Sequence, residues 1–210
     1  MRVRPVSVEN LVEELADDLV SRKPDSFLRV GIDGPPAAEP GRLADALVDP
    51  LRLRGRPAVR VDTADFLRPA SLRLEFGREN PDTYYAGWFD EAGLAREVLT
   101  PAGPGGDGRV LTRLWNAATD RAARDPYHPL PPGAVLLVSG PLLLGGGLVF
   151  DVTVHLEMSA AALRRRTPPG LHWTLPAFER YAGEVAPATF ADVVLRVDDP
   201  SRPAMVVERW

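Results

Sequence analysis

Between Val30 and Leu47 the chain reads VGIDGPPAAEPGRLADAL: an apolar strand, a turn rich in Gly and Pro, then an amphipathic helix. That order is the scaffold of a phosphate grip with the pattern GxxxxGK[ST]. In such a grip backbone N–H groups cradle the phosphates, the lysine reaches the outer ones and the hydroxyl helps to hold Mg²⁺. Counted from Gly34, the pattern asks for Gly, Lys and Ser or Thr at 39, 40 and 41, where the sequence has Glu39, Pro40 and Gly41. Each departure opposes phosphate. Glu39 brings a negative charge, Pro40 supplies neither a cation nor an N–H, and Gly41 has no hydroxyl. Pro35 and Pro36 remove two further donors. Arg42 is the nearest cation, two positions late, and Lys23, the single lysine beside 24 arginines, precedes the strand. The stretch is therefore a phosphate loop without its grip, or a proline-rich connection in another α/β protein.

Other reactive residue types are sparse. There is no cysteine, which excludes disulfides and thiolate metal sites, and His128, His155 and His172 are too scattered for a histidine metal cluster. No metal site is expected. A net charge of −4 with a pI near 5.5 gives no electrostatic footprint for nucleic acid. The first apolar stretch is interrupted by Glu9, Glu13, Glu14, Asp17 and Asp18, unlike a signal peptide, and no apolar run is long enough to span a membrane. The expectation is a cytoplasmic protein that binds neither nucleic acid nor membrane, with its oligomeric state left open.

The elements that must position the loop alternate between strand and helix. Ser7 caps a predicted helix to about residue 21, so that 1–25 forms an N-terminal helical segment. Residues 26–33 read as a buried strand, 42–53 as a helix shortened or kinked by Pro50, and 56–66 as a second strand. A helix after Pro81 carries Tyr84, Tyr85, Trp88, Phe89 and Leu94, and residues 100–108 form a loop. The i, i+4 spacing of those aromatics predicts a helix face turned to the core. Residues 109–115 read as a short strand or hairpin arm. The runs 133–140 and 150–158 have the continuous apolar character of buried parallel strands. Helices follow Ser159 and over 175–185, then a strand over 191–199, and 204–210 is a candidate edge strand. At 210 residues this is one domain, an α/β fold with a mainly parallel sheet, whose ligands belong at the carboxyl ends of the strands.

With the loop placed, the chain resembles the uridine kinase branch of the P-loop kinases, particularly the short uridine-kinase-like proteins of actinobacteria. The resemblance covers about residues 27–200 and rests on VGIDG leading to LADAL, DFLRPASLRLEFGRENPDTYY, GPGGDGR, PPGAVLLVSGPLLL and ADVVLRVDDP, in that order. It implies a three-layer α/β/α fold of the P-loop NTPase type, with a mainly parallel five-stranded sheet, a core over 26–200 and an arginine-bearing lid, here degenerate, over 160–187. The implied activity is phosphoryl transfer from Mg-ATP to the 5′-hydroxyl of a pyrimidine nucleoside.

The residues depart from that activity. The family's catalytic acid, two residues before the Phe of its second-strand motif, is here Ala64. Asp65 is adjacent, but one step along an extended strand turns a side chain to the opposite face unless a bulge brings it back. Ser139 stands where the family has a metal-side acid before Gly140. With the lysine and hydroxyl also missing, Mg-ATP binding is expected to be weak or absent. On the nucleoside side, Glu79 in ENPD matches the acid that binds ribose hydroxyls, with Arg78 as its partner; the alternative is a helix-capping turn at Glu79 or Asn80. Trp115 is placed either to stack on the base or to pack in the core. Arg164, Arg165 and Arg166 match the base of the lid, or are cations favoured at a helix C-terminus. Three readings follow: an impaired kinase keeping a pocket for a nucleoside-like ligand, an active kinase using Arg42, Asp65 and the Arg164–Arg166 cluster, or an interaction module with an apolar patch around Leu142–Leu148.

Overall fold

The computed structural model describes residues 2–23 and 25–208. In chain order it forms β1 (Arg2–Pro5), α1 (Val8–Ser21), β2 (Leu28–Asp33), α2 (Pro40–Leu53), β3 (Ala58–Asp62), the short helices α3 (Ala70–Arg73), α4 (Pro81–Gly87) and α5 (Glu91–Leu94), β4 (Arg109–Val110), β5 (Trp115–Asn116), β6 (Arg121–Ala122) and β7 (His128–Pro129). There follow β8 (Val135–Gly140), β9 (Val152–Glu157), α6 (Ala160–Arg166), α7 (Leu175–Glu184), β10 (Val193–Arg196) and β11 (Ala204–Glu208).

The main sheet has the order β1-β11-β10-β9-β2-β8-β3. Its five strands from β10 to β3 are parallel, as their sequences require. Every residue of LRVGID in β2 and VLLVSG in β8 is buried, so neither strand shows polar alternation. The five-stranded expectation is corrected to seven. Met205 and its neighbours in β11 pair antiparallel with β10, and Arg2–Pro5, which carried no strand signal, pairs antiparallel with β11 at the edge.

Helices cover both faces of the sheet. On one, Leu28, Val30 and Ile32 pack with Leu15 and Leu19 of α1 and Leu43, Leu47 and Leu51 of α2. On the other, Leu136, Val138, Val61 and Val194 pack with Leu94, Val98, Leu99 and Tyr181. The Ser7 cap forms as expected, its hydroxyl accepting from Asn10 N–H at 3.2 Å. α2 begins earlier than its pattern predicted, with Pro40 in its first turn, and runs past Pro50 to Leu53 because Leu47 and Leu51 are fully buried on the sheet. Two expected elements change. The second strand stops at Asp62, and Thr63–Phe66 turn into a single 3₁₀ coil capped by Asp62, whose carboxylate accepts from Ala64 N–H at 2.8 Å. The aromatic helix breaks after Gly87 and resumes at Glu91, where Asp90 caps the new turn through Gly93 N–H at 2.9 Å.

At the opposite end of the sheet from the loop, Arg29 and Asp151 form a buried ion pair. The guanidinium donates to the carboxylate at 3.1 and 3.0 Å, Arg29 N–H adds a bond of 2.9 Å, and Lys23 reaches the same group at 2.6 Å. Burial opposes ionisation of Asp151, yet the hydrogen bonds from Arg29 and Lys23 prevail and hold its carboxyl down at about 2. A carboxyl depressed on folding stabilises the fold above its unfolded value, near 3.9, and that contribution fades as the pH falls towards the folded value. Asp151→Asn is expected to cost about 3 kcal/mol at neutral pH by leaving Arg29 unpaired. Urea unfolding across pH should also lose part of its acid sensitivity between about 4 and about 2 in the variant.

Candidate functional site

The loop after β2 is held close to β9. A Cβ at Gly34 would lie 2.9 Å from Leu156 Cβ and 3.1 Å from its carbonyl oxygen, so only glycine fits this approach. Gly34 N–H donates to Gly140 O at 3.2 Å. The chain then closes into a 3₁₀ turn over Pro36–Ala38, with Ala38 N–H donating to Pro35 O at 2.8 Å and Glu39 N–H to Pro36 O at 3.1 Å. Between Gly34 and Gly41 three residues are prolines without a donor and three donors are spent inside the protein. Only Ala37 and Gly41 keep an N–H for anything else, so the turn is no inward-facing nest.

Glu39 occupies the helix entrance in a left-handed conformation, φ 58° and ψ 49°. Arg42 donates to its carboxylate at 2.9 Å, and Arg166 of α6 approaches the other oxygen to 3.9 Å. The pairing is chemically apt. A carboxylate lies at the start of α2, and the guanidinium groups of Arg42 and Arg166 approach it. Arg164 and Arg165 are exposed on the last turn of α6.

Beside the loop the sheet supplies a fixed cation, Arg60 of β3. Its guanidinium donates to Asp45 at 2.6 Å, Ser139 Oγ at 3.0 Å, Leu137 O at 3.2 Å and Gly41 O at 3.3 Å. A Cβ at Gly41 would meet Asp62 Oδ2, Arg60 Nη2 and Ser139 Oγ at 3.5, 3.7 and 3.8 Å, so the corner where a metal hydroxyl was sought belongs to the guanidinium. Among the described residues no group of three or more His, Asp or Glu side chains could hold a metal ion. The sequence signal for Arg60 is a charge at the centre of the apolar strand AVRVD.

The remaining candidates spread around this centre. Asp65 sits on the 3₁₀ turn, so strand alternation does not decide where it points. It is half-buried; burial and the neighbouring Asp62 charge push its carboxyl up, against the pull of Arg113. Ala64 is exposed. Glu79 and Arg78 are exposed in the turn before α4, where Asn80 rather than Glu79 is the cap, accepting from Asp82 and Thr83 N–H at 2.9 and 3.1 Å. Trp115 is half-buried on the β5–β6 hairpin, its indole donating to Asp120 at 3.1 Å, and Asp120 in turn accepts from Ala70 N–H at 2.9 Å. The tryptophan thus fastens the hairpin to α3. In the run 142–148, Leu143 and Leu144 are buried, Leu142 and Leu148 are half-buried and Gly145–Gly147 are exposed.

What the structure does assemble is an aromatic cleft of about 710 Å³ against the loop, lined by Ala37, Glu39, Tyr84, Trp88, Arg166 and Trp173. Ring centroids of Tyr84, Trp88 and Trp173 lie 5.4–5.5 Å apart, Phe178 is 5.8 Å from Tyr84, and the Arg73 guanidinium lies 5.0 Å above Trp88. Tyr84 is core, its phenol pushed up by burial, whereas Trp88 is half-buried. The helical spacing identified the aromatic face. It could not supply Trp173, which arrives from a separate turn, Pro169–Thr174.

No protein-family model and no curated protein sequence matches the chain. Solved structures do. A possible uridine kinase from Bacillus stearothermophilus superposes with a TM-score of 0.72 at 19% identity, covering 89% of this chain and 98% of that one. A candidate fructose transport system kinase from Silicibacter sp. TM1040 gives 0.55 at 23% identity, over 90% and 98% of the two chains. The protein YGR205w gives 0.61 at 10% identity, over 97% and 100%. At these identities the likeness establishes the fold, a uridine-kinase-like P-loop fold.

Because Arg60 ties β3 to β8 and the first turns of α2, its truncation has a defined cost. Arg60→Met is expected to lower stability by about 2 kcal/mol in urea unfolding, as lost charge-assisted bonds leave the Leu137 carbonyl and Ser139 hydroxyl without this donor.

Proposed function

We propose that the chain is a uridine-kinase-like protein whose triphosphate site is closed by its own Glu39, and whose aromatic cleft binds a planar, nucleoside-like ligand without transferring phosphate to it. The observation that carries this reading is the Glu39 carboxylate, set between Arg42 and Arg166 at the entrance of α2. Phosphoryl transfer depends on positioning and on neutralising the triphosphate with cations and Mg²⁺. Here the two cations face a protein carboxylate, and the loop offers few free donors. A bound triphosphate would have to expel Glu39 and undo the Pro36–Ala38 turn.

The ligand side rests on different chemistry. Trp88 and Trp173 offer π-faces against which a flat base can stack. Glu79, two residues before α4, is the acid this proposal assigns to ribose hydroxyls, with Arg78 beside it. Arg166 and Glu39 contribute a donor and an acceptor to the lining of the cleft.

A second reading keeps the enzyme active. It is favoured by Asp65, whose carboxyl is pushed up by burial and by Asp62 in the manner of a general base. It requires a measurable rate that Asp65→Asn abolishes.

Calorimetry on the full chain separates the two. Uridine is expected to give a saturable isotherm, weakened about tenfold by Glu79→Gln or Trp88→Ala. Mg-ATP is expected to give none, and no phosphorylated nucleoside should accumulate. Saturable Mg-ATP binding with turnover would sink the closed-site reading.

A further inference from the structure

At the carboxyl ends of β2 and β9 lies a buried polar network that the phosphate-loop chemistry leaves unused. Asp33, the last residue of β2, has no exposed surface. Its carboxylate accepts from Leu143 N–H at 2.9 Å, from the Tyr181 hydroxyl of α7 at 3.1 Å, and from Nδ1 of His155 on β9 at 2.7 Å. Tyr181 is fixed in turn, its hydroxyl accepting from Leu144 N–H at 2.9 Å; burial, then the Asp33 charge, push its phenol up. An acceptor-only carboxylate against Nδ1 sets the imidazole tautomer, because the proton must lie on Nδ1. In the neutral imidazole Nε2 then carries the lone pair.

That lone pair has no hydrogen-bond partner among the described residues, although His155 is only 7% exposed. Among the described residues the one fully enclosed side-chain atom lacking a partner is Thr63 Oγ1, so Nε2 is unpaired without being fully enclosed. His155 lines a cavity of about 300 Å³ together with Gly34, Leu142, Met158, Phe178 and Glu157. β2 leads to a helix on one face of the sheet and β9 to helices on the other, so the gap between them is a topological switch point, the place where open α/β sheets bind ligands. A network serving only to close the core would pair both imidazole nitrogens. This one orients the ring and leaves Nε2 unpaired on a residue that lines a mostly apolar chamber.

We infer that this cavity is a binding site for a small, mostly apolar molecule carrying one hydroxyl group, phenol-like in chemistry, which donates its proton to His155 Nε2. The apolar walls take the body of the molecule and Nε2 fixes its orientation. The site shares only Phe178 with the aromatic cleft, and it stands whether or not that cleft binds a nucleoside.

The test is long-range ¹H–¹⁵N NMR of the imidazoles in the full chain at neutral pH, with phenol as the probe and His155→Gln to assign the signals. His155 is expected in the Nδ1–H form, with an Nε2 resonance that moves saturably as phenol is added. Ala182→Trp, a surface substitution at the mouth of the cavity, should weaken the apparent affinity at least tenfold while the tautomer stays unchanged. An Nε2–H tautomer, an Nε2 signal indifferent to phenol, or a response equally strong in Ala182→Trp overturns the proposal. Should that variant misfold, Ala188→Leu fills the chamber from another wall and is read in the same way.

Discussion

The closure of the turn after β2 is fixed by what its residues cannot donate. Pro35, Pro36 and Pro40 bring no N–H, and the donors of Ala38 and Glu39 are satisfied within the turn itself. The segment therefore satisfies its own backbone, and Glu39 enters α2 in the left-handed conformation. From there its carboxylate meets Arg42 and Arg166, bringing the end of α6 to the entrance of α2. The aromatic cleft owes its shape to this closure. Ala37 and Glu39 line it, and the turn after Arg166 delivers Trp173 to Tyr84 and Trp88.

Arginine supplies most of the fixed positive charge at both ends of the sheet. Arg29 neutralises Asp151 at one end of the sheet, and Arg60 fills the corner beside Ser139 and Gly41 at the other. A guanidinium presents several donors in a plane, so one side chain can bridge a strand, a carbonyl and a helix as Arg60 does. It cannot exchange ligands as a bound divalent ion can.

Much of the scaffold was legible because its signals are local. Continuous apolar runs marked β2, β8 and β9, and Ser7 and Ser159 marked helix starts through their caps. The misses share a cause, which is that the decisive partner is remote in sequence. Arg2–Pro5 becomes a strand only because β11, about two hundred residues later, offers it an edge. Thr63–Phe66 are the exception, coiling instead of extending because the adjacent Asp62 caps them. Of the site, the substituted loop positions were legible one by one. The Arg166 approach to Glu39, the bridge made by Arg60 and the meeting of Asp33, His155 and Tyr181 were not, since each joins elements that no sequence period connects.

The central claim is that a protein carboxylate holds the place of a phosphate. A crystal structure determined in concentrated phosphate tests it most directly, because inorganic phosphate is small enough to enter any open nest. The account predicts Glu39 between Arg42 and Arg166, with the Pro36–Ala38 turn intact and no anion at the start of α2. Phosphate bound to the backbone there, with Glu39 swung out and Arg166 on the anion, would contradict it.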